Sequence, residues 1–337
     1  MPHPQTPSTP GRPRRVLRRL LVGLAAGVLA LVALGFVFEM VAAAASARRH
    51  PPPGERYEVD GVALHLHCTG SGDPTVVLES GAGAGMLAWA WVQSAVARET
   101  RVCAYDRAGY GWSGGGGDDV DAERVVERLR TLLRAAGEDG PYVVVGHSLG
   151  GHYVRVFADA HPDEVSGVVL VDARPPALPE RMSGYDAWLA EGEQTVQVGL
   201  ALSHVGVLRL LGDVFGAMET LPDDIAAAMV ATTMRPRHMR AHLAEVRSLP
   251  ALDARATAAG DLGERPVAVL AAGTVVDEQL DREVWIALQE DFAGLAPGAR
   301  YQLVTEADHL SLLTEEAHAA VVSEAIVEVV RRVRDGR

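Results

Sequence analysis

The segment Val143–Gly151 places the strongest constraint on how this chain can fold. Three valines lead into Gly146-His147-Ser148-Leu149-Gly150, and a helical pattern continues from Leu149 to Ala160. A strand that passes into a helix through so tight a turn needs small residues two positions before and after the serine. Such a turn presents the hydroxyl at the carboxyl end of the strand, beside the positive end of the helix. The pattern therefore predicts that Ser148 is a nucleophile at the edge of a sheet.

Valine-rich runs alternate with helical patterns along most of the chain after residue 57. Short apolar runs of this kind are typical of parallel strands that are covered on both faces. The alternation predicts an α/β fold with a mostly parallel central sheet flanked by helices. The predicted strands are Val62–Cys68, Thr75–Leu78, Val102–Tyr105, Tyr142–Val145, Val168–Val171, Val267–Ala271 and Tyr301–Val304. The clearest helical patterns after the first strands are Val125–Ala136, Arg282–Phe292 and Glu315–Val333, and Thr314 is expected to cap the last of these helices.

One long interval interrupts this alternation. Residues 173–265 contain helical patterns but no convincing strand pattern. A structureless loop of that length is uncommon inside a domain. The interval predicts a helical lid, inserted into a core formed by residues 57–172 and 266–337.

The amino-terminal residues have the pattern of a membrane anchor. Residues 1–19 form a basic segment that we expect to be disordered, and Leu20–Phe38 then runs without a charge. A helix of that length covers about 28 Å, close to the thickness of a bilayer's hydrocarbon core. We expect a single transmembrane anchor over residues 20–45 and a short linker over residues 46–56.

The distribution of arginine predicts the orientation of that anchor. Five arginines precede the apolar run, whereas only Arg48 and Arg49 closely follow it. The positive-inside rule then places the tail in the cytoplasm and the body outside, on the cell membrane. The alternative is a secreted protein, because Ala45-Ser46-Ala47 resembles a signal-peptide cleavage site.

The charge of the body excludes one class of partner. Residues 1–50 carry a net charge of about +6, whereas the rest of the chain carries about −19. An acidic body repels phosphate backbones, so we expect no binding to nucleic acid.

The sequence contains two cysteines, Cys68 and Cys103, and both lie in predicted strands. Their spacing matches no zinc or CxxC pattern, so we expect no metal site. Two buried thiols that act as small apolar residues are the preferred interpretation. A disulfide is the alternative, since it would be stable outside the cytoplasm.

A serine nucleophile needs a base, and we assign that role to His309. This histidine follows the predicted final strand, in Ala307-Asp308-His309-Leu310, where a loop could carry its imidazole back over Ser148. The other histidines after the serine fall on predicted helices, at a helix end or in the lid: His152, His161, His204, His238, His242 and His318.

The acid that orients the imidazole has two candidates. Asp277 follows the predicted strand Val267–Ala271 in a loop, where such an acid is expected, and it is preferred. Asp172 ends the preceding predicted strand and is the alternative, although an aspartate there could simply cap a loop. Glu278 is a lesser candidate, and Asp308 is too close to His309 for an easy side-chain approach.

Acyl transfer also needs hydrogen-bond donors for the oxyanion that develops. One should be the backbone N–H of Leu149, directly after the serine. The other should come from the glycine-rich segment Ser80–Gly85, and the N–H of Ala82 is the best candidate.

These motifs together resemble the α/β-hydrolase superfamily, and in particular its membrane-anchored, lid-bearing bacterial members. The segments that carry the resemblance are Leu78–Gly81, Tyr105–Ser113, Gly146–Gly151, Val169–Asp172 and Asp308-His309. The resemblance covers about residues 57–333, except the lid. It implies Ser148 as nucleophile, His309 as base, an acid at Asp277 and no cofactor.

The chain departs from the family pattern at two places. Ser80-Gly81 stands where the family usually has His-Gly, which loosens the assignment of Ala82. The loop Gly273–Asp277 is one residue longer than the usual spacing between the glycine and the acid, which keeps Asp172 open.

The sequence therefore predicts a serine hydrolase that acts on carboxylic esters or related small acyl substrates. The alternatives are an inactive protein that uses the lidded pocket for binding or sensing, and a cofactor-free peroxidase or an amidase on the same triad. A haloalkane dehalogenase is disfavoured, because that chemistry needs a carboxylate where Ser148 stands. The substrate and the oligomeric state stay open.

Overall fold

The structure is a computed structural model that describes residues 12–116, 120–212, 218–275, 277 and 279–336. The strands are β1 (Glu55–Val59), β2 (Val62–Thr69), β3 (Val76–Glu79), β4 (Val102–Asp106), β5 (Tyr142–His147), β6 (Val165–Val171), β7 (Val267–Ala272) and β8 (Arg300–Val304). The helices are α1 (Arg12–Arg49), α2 (Ala90–Val96), α3 (Ala122–Ala135), α4 (Gly150–Ala160), α5 (Leu178–Arg181), α6 (Tyr185–His204), α7 (Val207–Leu211), α8 (Asp223–Thr233), α9 (Pro236–Ala258), α10 (Arg282–Asp291), α11 (Ser311–Thr314) and α12 (Glu316–Asp335). Short 3₁₀ helices cover Met86–Trp89, Pro162–Glu164 and Phe292–Leu295.

The described strands form one sheet in the order β1-β2-β4-β3-β5-β6-β7-β8. The pairs β1–β2 and β2–β4 are antiparallel, and the other pairs are parallel. The predicted mostly parallel sheet is confirmed. Because parallel strands end at the same edge, the residues that follow β5, β6, β7 and β8 lie near one another.

The central strands are buried on both faces. Val76 and Val143 pack in the cluster that includes residues of α2 and α12. Val77 and Val144, one position later, pack on the opposite face with residues of α3 and α4. Successive side chains of a strand point to opposite faces, so two covered faces require a continuous apolar run. This is why the runs of valine mark the strands so clearly in the sequence.

Two elements near the start of the body were not predicted. The strand β1 has the sequence ERYEV and is mostly exposed at the edge of the sheet, so it lacks an apolar run. The helix α2 is short and follows the 3₁₀ helix Met86–Trp89 directly. The predicted capping of the last helix by Thr314 is wrong. Thr314 instead ends α11 and donates its hydroxyl to the Leu310 carbonyl.

Helices fill the interval between β6 and β7, as the predicted lid requires. They are α5 to α9, and α9 packs against both α6 and α4. Residues 213–217 lie outside the described part of the chain.

The helix α1 is continuous and longer than the predicted anchor. Its apolar residues are exposed, and by length and composition it could cross a membrane. Residues 12–19 are helical, so the predicted disorder is wrong for them, and residues 1–11 lie outside the described chain. The helix also runs to Arg49, which shortens the predicted linker. Trp112 Nε1 donates to the carbonyl of His50 (3.1 Å) and ties the chain after α1 to the body.

Cys68 and Cys103 form a disulfide bond. The preferred interpretation as two free thiols is wrong, and the alternative is correct. The two residues are direct partners in the antiparallel pair β2–β4, with Cα atoms 4.0 Å apart. The sequence alone did not show that these two strands are neighbours.

Replacing both cysteines with alanine should lower the free energy of unfolding by about 3–4 kcal/mol, because the disulfide restricts the unfolded chain. The two residues are separated by 35 positions, which sets the size of the closed loop. Urea denaturation of the variant and the wild type would measure the difference. The wild type treated with a reductant is the matched control, and equal stability of all three samples would contradict the expectation.

Candidate active site

Ser148 lies in a strained turn between β5 and α4. Its φ of 53° is in the left-handed region, which side chains other than glycine rarely adopt. A Cβ atom at Gly146 would lie 2.5 Å from the Gly150 carbonyl oxygen, and one at Gly150 would lie 2.3 Å from the Glu79 carbonyl oxygen. Both glycines are therefore required for the turn to pack against β3. The turn leaves the serine side chain partly exposed at the end of β5.

His309 lies in the loop between β8 and α11. Its Nδ1 is 2.6 Å from Oδ2 of Asp172, and 35% of its side chain is exposed. Asp308 holds this loop, because its Oδ1 accepts hydrogen bonds from the backbone N–H groups of Leu310 and Ser311. The side chain of Asp308 thus shapes the turn that presents the histidine.

Asp172 directly follows β6 and is buried. Its Oδ1 accepts hydrogen bonds from the backbone N–H of Ala272 (2.9 Å) and from Nε1 of Trp285 (2.9 Å). Burial alone would raise the pKa of Asp172, but these bonds, together with the bond from His309, lower it below its usual value. Asp172 is therefore held as a carboxylate. Its φ of 40° is again in the left-handed region, a strain found often at functional sites.

The structure does not bring Asp277, the preferred candidate for the acid, into contact with His309. Oδ2 of Asp277 accepts from Nε1 of Trp188 (2.7 Å), and its Oδ1 accepts from the backbone N–H of Gln279. Asp277 thus joins the lid to the loop after β7 and lies in the same cavity, but His309 pairs with Asp172. The histidine therefore contacts the alternative candidate and not the preferred one. Glu278 lies outside the described residues.

The hydrogen-bond partner of the His309 imidazole determines which ring nitrogen carries the hydrogen. A carboxylate only accepts hydrogen bonds, so Nδ1 of His309 carries a hydrogen and Nε2 of the neutral ring has a free lone pair. Ser148, Asp172 and His309 line one cavity of about 340 Å³. The arrangement can therefore hold a base next to a serine hydroxyl.

His147 packs against His309 and holds its backbone. The two rings lie 4.5 Å apart, and Nε2 of His147 donates to the backbone carbonyl of His309 (2.8 Å). Burial, with a contribution from His309, lowers the pKa of His147 to about 3. A neutral ring is required here, because Nδ1 is buried and has no hydrogen-bond partner among the described residues.

The loop after β3, which contains the expected donor Ala82, approaches the serine. Within the described part of the chain, the backbone N–H groups of Leu149 and Ala82 have no hydrogen-bond acceptor. The loop after β3 approaches the serine so closely that a Cβ atom at Gly81 would lie 2.9 Å from Cβ and 3.4 Å from Oγ of Ser148. Ser80 fixes this loop, since its hydroxyl accepts from Nε1 of Trp89 and donates to the Gly85 carbonyl.

Arg107 holds the same loop from the other side. Its guanidinium donates to the carbonyls of Ser80 and Gly81, both at 2.7 Å. It also forms buried ion pairs with Glu79 at the end of β3 and with Glu245 on α9. Burial alone would lower the pKa of Arg107, but the two carboxylates raise it well above its usual value. One cation thus connects the sheet, the loop and the lid.

The walls of the cavity are mainly apolar. Leu178, Trp188, Val275, Leu280, Trp285 and Leu310 line it together with the polar residues described above. Arg174 also lines the cavity, but Asp253 on α9 neutralises it through two hydrogen bonds of 2.7 and 2.8 Å. The cavity therefore suits an uncharged, apolar group better than an anionic one.

Comparison with known proteins supports the fold. A model of the alpha/beta hydrolase fold matches residues 74–231, a segment that includes the Ser148 turn, the strand before Asp172 and part of the lid. This chain has the α/β-hydrolase fold. The solved structure of the Cif epoxide hydrolase from Acinetobacter nosocomialis agrees, with a TM-score of 0.68 at 15% identity over 88% of this chain and 96% of that chain.

Two curated relatives have significant sequence identity with this hydrolase-fold chain. It is 30% identical to the uncharacterised protein YbdG of Bacillus subtilis (strain 168) over 53% of this chain and 56% of the relative. It is 29% identical to the 2-hydroxymuconate semialdehyde hydrolase of Pseudomonas sp. (strain CF600) over 55% of this chain and 63% of the relative. The chain thus spans little more than half the length of these relatives.

Several residues of the site were not predicted from the sequence. No sequence pattern indicated that Trp285 or His147 belongs to the site, although His147 lies inside the predicted turn. Arg107 lies in Tyr105–Ser113, a segment that carries the family resemblance but to which no role was assigned. An arginine directly after a buried strand is unusual, and this was the available signal for a buried ion pair.

Replacing Gly81 with alanine should lower kcat by about 100-fold, because the added methyl group would crowd Ser148 and displace the oxyanion loop. Steady-state kinetics on a soluble ester would measure it. Gly192→Ala is the matched control, since a Cβ atom there meets nothing within 4 Å. Equal loss of activity in both variants would contradict the crowding of the serine.

The buried neutral His147 should make stability depend on pH. The folded protein keeps the pKa of His147 near 3, whereas the unfolded chain binds a proton near the ordinary value of 6.5. Between these two pH values the unfolded state therefore binds more protons than the folded state. The contribution of the neutral His147 to the free energy of unfolding is fully present above about pH 6.5 and decreases as the pH falls. His147→Gln should show a shallower decrease of the urea midpoint from pH 7 to pH 5. An unchanged slope would contradict this expectation.

Proposed function

We propose that this chain is a serine hydrolase of carboxylic esters, with Ser148 as nucleophile, His309 as base and Asp172 as the acid. The observation that carries the proposal is the hydrogen bond of 2.6 Å between His309 and the ionised Asp172, in the cavity that Ser148 also lines. Geometry of this kind is the recurring basis of nucleophilic serine catalysis.

The first half of the reaction acylates the enzyme. Nε2 of His309 takes the proton of Ser148 as Oγ attacks the ester carbonyl carbon. The carbonyl oxygen becomes an oxyanion, for which the N–H groups of Leu149 and Ala82 are the proposed donors. Asp172 stabilises the imidazolium that forms. When the tetrahedral intermediate collapses, the C–O bond to the alcohol breaks and His309 returns the proton to the departing alcohol.

The second half releases the acid. His309 accepts a proton from a water molecule, whose oxygen attacks the acyl carbon through the same oxyanion arrangement. The bond to Ser148 breaks, the serine regains a proton from His309, and the carboxylic acid leaves. The enzyme returns to its first state, so the cycle needs no cofactor.

The cavity supports a small substrate with an apolar acyl group. A volume of about 340 Å³ lies at the lower end of the usual range for small-molecule sites. The relative from Pseudomonas is named a hydrolase, and the Acinetobacter structure is titled an epoxide hydrolase. Neither name defines the substrate of this chain, so a panel of esters and amides of different acyl length is the appropriate first screen.

We also propose that the protein is anchored in the cell membrane by α1, with the body outside the cytoplasm. The apolar run of α1 and the five arginines before it support a single span with this orientation. The disulfide supports an oxidising compartment. Secretion after cleavage near Ala47 is the alternative, and the amino-terminal sequence of the mature protein would distinguish the two.

The two aspartates provide a matched test of the triad. Asp172→Asn should lower kcat by about 10³–10⁴-fold, because the amide cannot stabilise the imidazolium. Asp277→Asn should keep activity close to that of the wild type, since Asp277 contacts Trp188 rather than His309. Ser148→Ala should remove turnover almost completely. The measurement is kcat and KM on one soluble ester for all three variants.

Two outcomes would contradict the proposal. A Ser148→Ala variant with full activity would exclude the serine as nucleophile, and a larger loss in Asp277→Asn than in Asp172→Asn would exclude the assigned acid. A fluorophosphonate probe separates the enzyme from an inactive binding protein. It should label the wild type at Ser148 and should not label Ser148→Ala.

A further inference from the structure

One face of α1 packs against the helices between β6 and β7. The residues of its second half that are partly or fully buried are Gly35, Glu39, Ala42, Ala43, Ala45 and Ser46. Most of them recur every three or four positions and so lie on one side of the helix. The residues of α1 between Arg14 and Leu34 are exposed. The helix therefore docks on the body only near the outer end of its apolar run.

The contact with the start of α7 lies within the apolar run itself. A Cβ atom at Gly35 would be 2.7 Å from the Val205 carbonyl oxygen, and one at Gly206 would be 2.5 Å from the ring of Phe38. Glycine at both positions lets the two segments touch without a side chain between them. The uncharged run of α1 ends at Phe38. The start of α7 therefore lies at the same depth in the proposed membrane as the last turn of that run.

A buried ion pair fixes this contact. Arg209 on α7 donates to Oε1 of Glu39 from Nη2 (2.7 Å) and to Oε2 from Nε (2.8 Å). The exposed fractions of the two side chains are 10% and 6%. Nη1 of Arg209 also lies 3.3 Å from the hydroxyl of Ser46. Glu39 is the first charged residue after the apolar run, and its pairing removes the cost of a lone charge beside a bilayer.

The next two residues of α7 are large, apolar and exposed. Leu210 is 70% exposed and Leu211 is 52% exposed. They directly follow Arg209, which is fixed to Glu39 at the end of the apolar run, and Leu34 and Phe36 of that run are also more than half exposed. Exposed apolar side chains on a short helix that is fixed to a membrane-crossing helix suit lipid as their partner.

We propose that α7 lies in the headgroup–acyl boundary of the bilayer that α1 crosses, with Leu210 and Leu211 in contact with lipid. The proposal rests on the anchor proposed above and is independent of the catalytic residues. The occupant of this surface is a phospholipid bilayer, because the two leucines directly follow Arg209, whose ion pair with Glu39 fixes α7 at the end of the apolar run that lipid would surround. In this arrangement the anchor is fixed to the lid through Arg209. Cleavage after Ala47 would remove both Glu39 and Ser46, the two partners of Arg209.

The disulfide makes a site-specific test possible. Both native cysteines are bonded to each other, so one introduced cysteine is the only free thiol. Leu210→Cys, Leu31→Cys and Asp163→Cys would each be labelled with the fluorophore NBD. The full chain is then reconstituted in vesicles of phosphatidylcholine and phosphatidylglycerol. Leu31 reports the middle of the apolar run, and Asp163 is an exposed position on the 3₁₀ helix Pro162–Glu164 of the body.

The label at position 210 should emit at shorter wavelength than the label at 163, and lipids with a nitroxide near the headgroup should quench it by about twofold or more. The label at 31 should respond most to nitroxides deep in the acyl chains. The label at 163 should respond to iodide in the water and not to either lipid. If Leu210→Cys folds poorly, Leu211→Cys takes its place.

Each other outcome is decisive. A label at 210 that behaves like the label at 163 would overturn the lipid contact and leave the anchor intact if position 31 still responds to lipid. A short-wavelength signal at 210 without quenching by lipid nitroxides would mean that protein, such as a second copy, covers the surface, and would also overturn the proposal. Hydrolysis of a soluble ester by the same variants reports separately on the proposed function.

Discussion

The arrangement of the site depends on the buried guanidinium of Arg107. It meets the carboxylates of Glu79 and Glu245 and the carbonyls of Ser80 and Gly81, so the end of β3, the oxyanion loop and α9 share one cation. Loss of one partner would leave a charge buried without compensation, at a cost of about 3–5 kcal/mol. The position of the loop beside Ser148 therefore depends on the lid, and moving the two apart would cost the free energy of a buried ion pair.

The parts of the site that the sequence predicted are those that local geometry dictates. A strand that turns sharply into a helix requires Gly146 and Gly150, so the position of Ser148 could be located by its neighbours. The buried sheet requires continuous valine runs, which gave the order of the elements. His309 was assigned from its place after the last of these strands, and the structure places it beside His147 and Asp172.

The parts that the sequence did not predict depend on which distant segments meet. Asp172 and Asp277 both follow strands at the same edge, and only the reach of the loop after β8 decides which one contacts His309. The disulfide depends on β2 lying next to β4, a pairing between strands that are not consecutive. The ion pair between Glu39 and Arg209 joins residues 170 positions apart, and neither residue carries a local pattern that indicates the other.

The hydrogen bond between Trp188 and Asp277 has a consequence for access to the cavity. The lid is held to the core at α9, by Glu245 paired with Arg107 and by Asp253 paired with Arg174, and separation there would break buried ion pairs. At the edge of the cavity, α6 meets the loop after β7 through hydrogen bonds from Trp188 Nε1 to Asp277 and from Gln279 Nε2 to the exposed Glu191. Separation at this seam breaks no buried ion pair, so no fully buried charge loses its partner there. The seam is therefore where the lid can part from the core at the lowest electrostatic cost, and the residue first considered as the acid would act there as a latch.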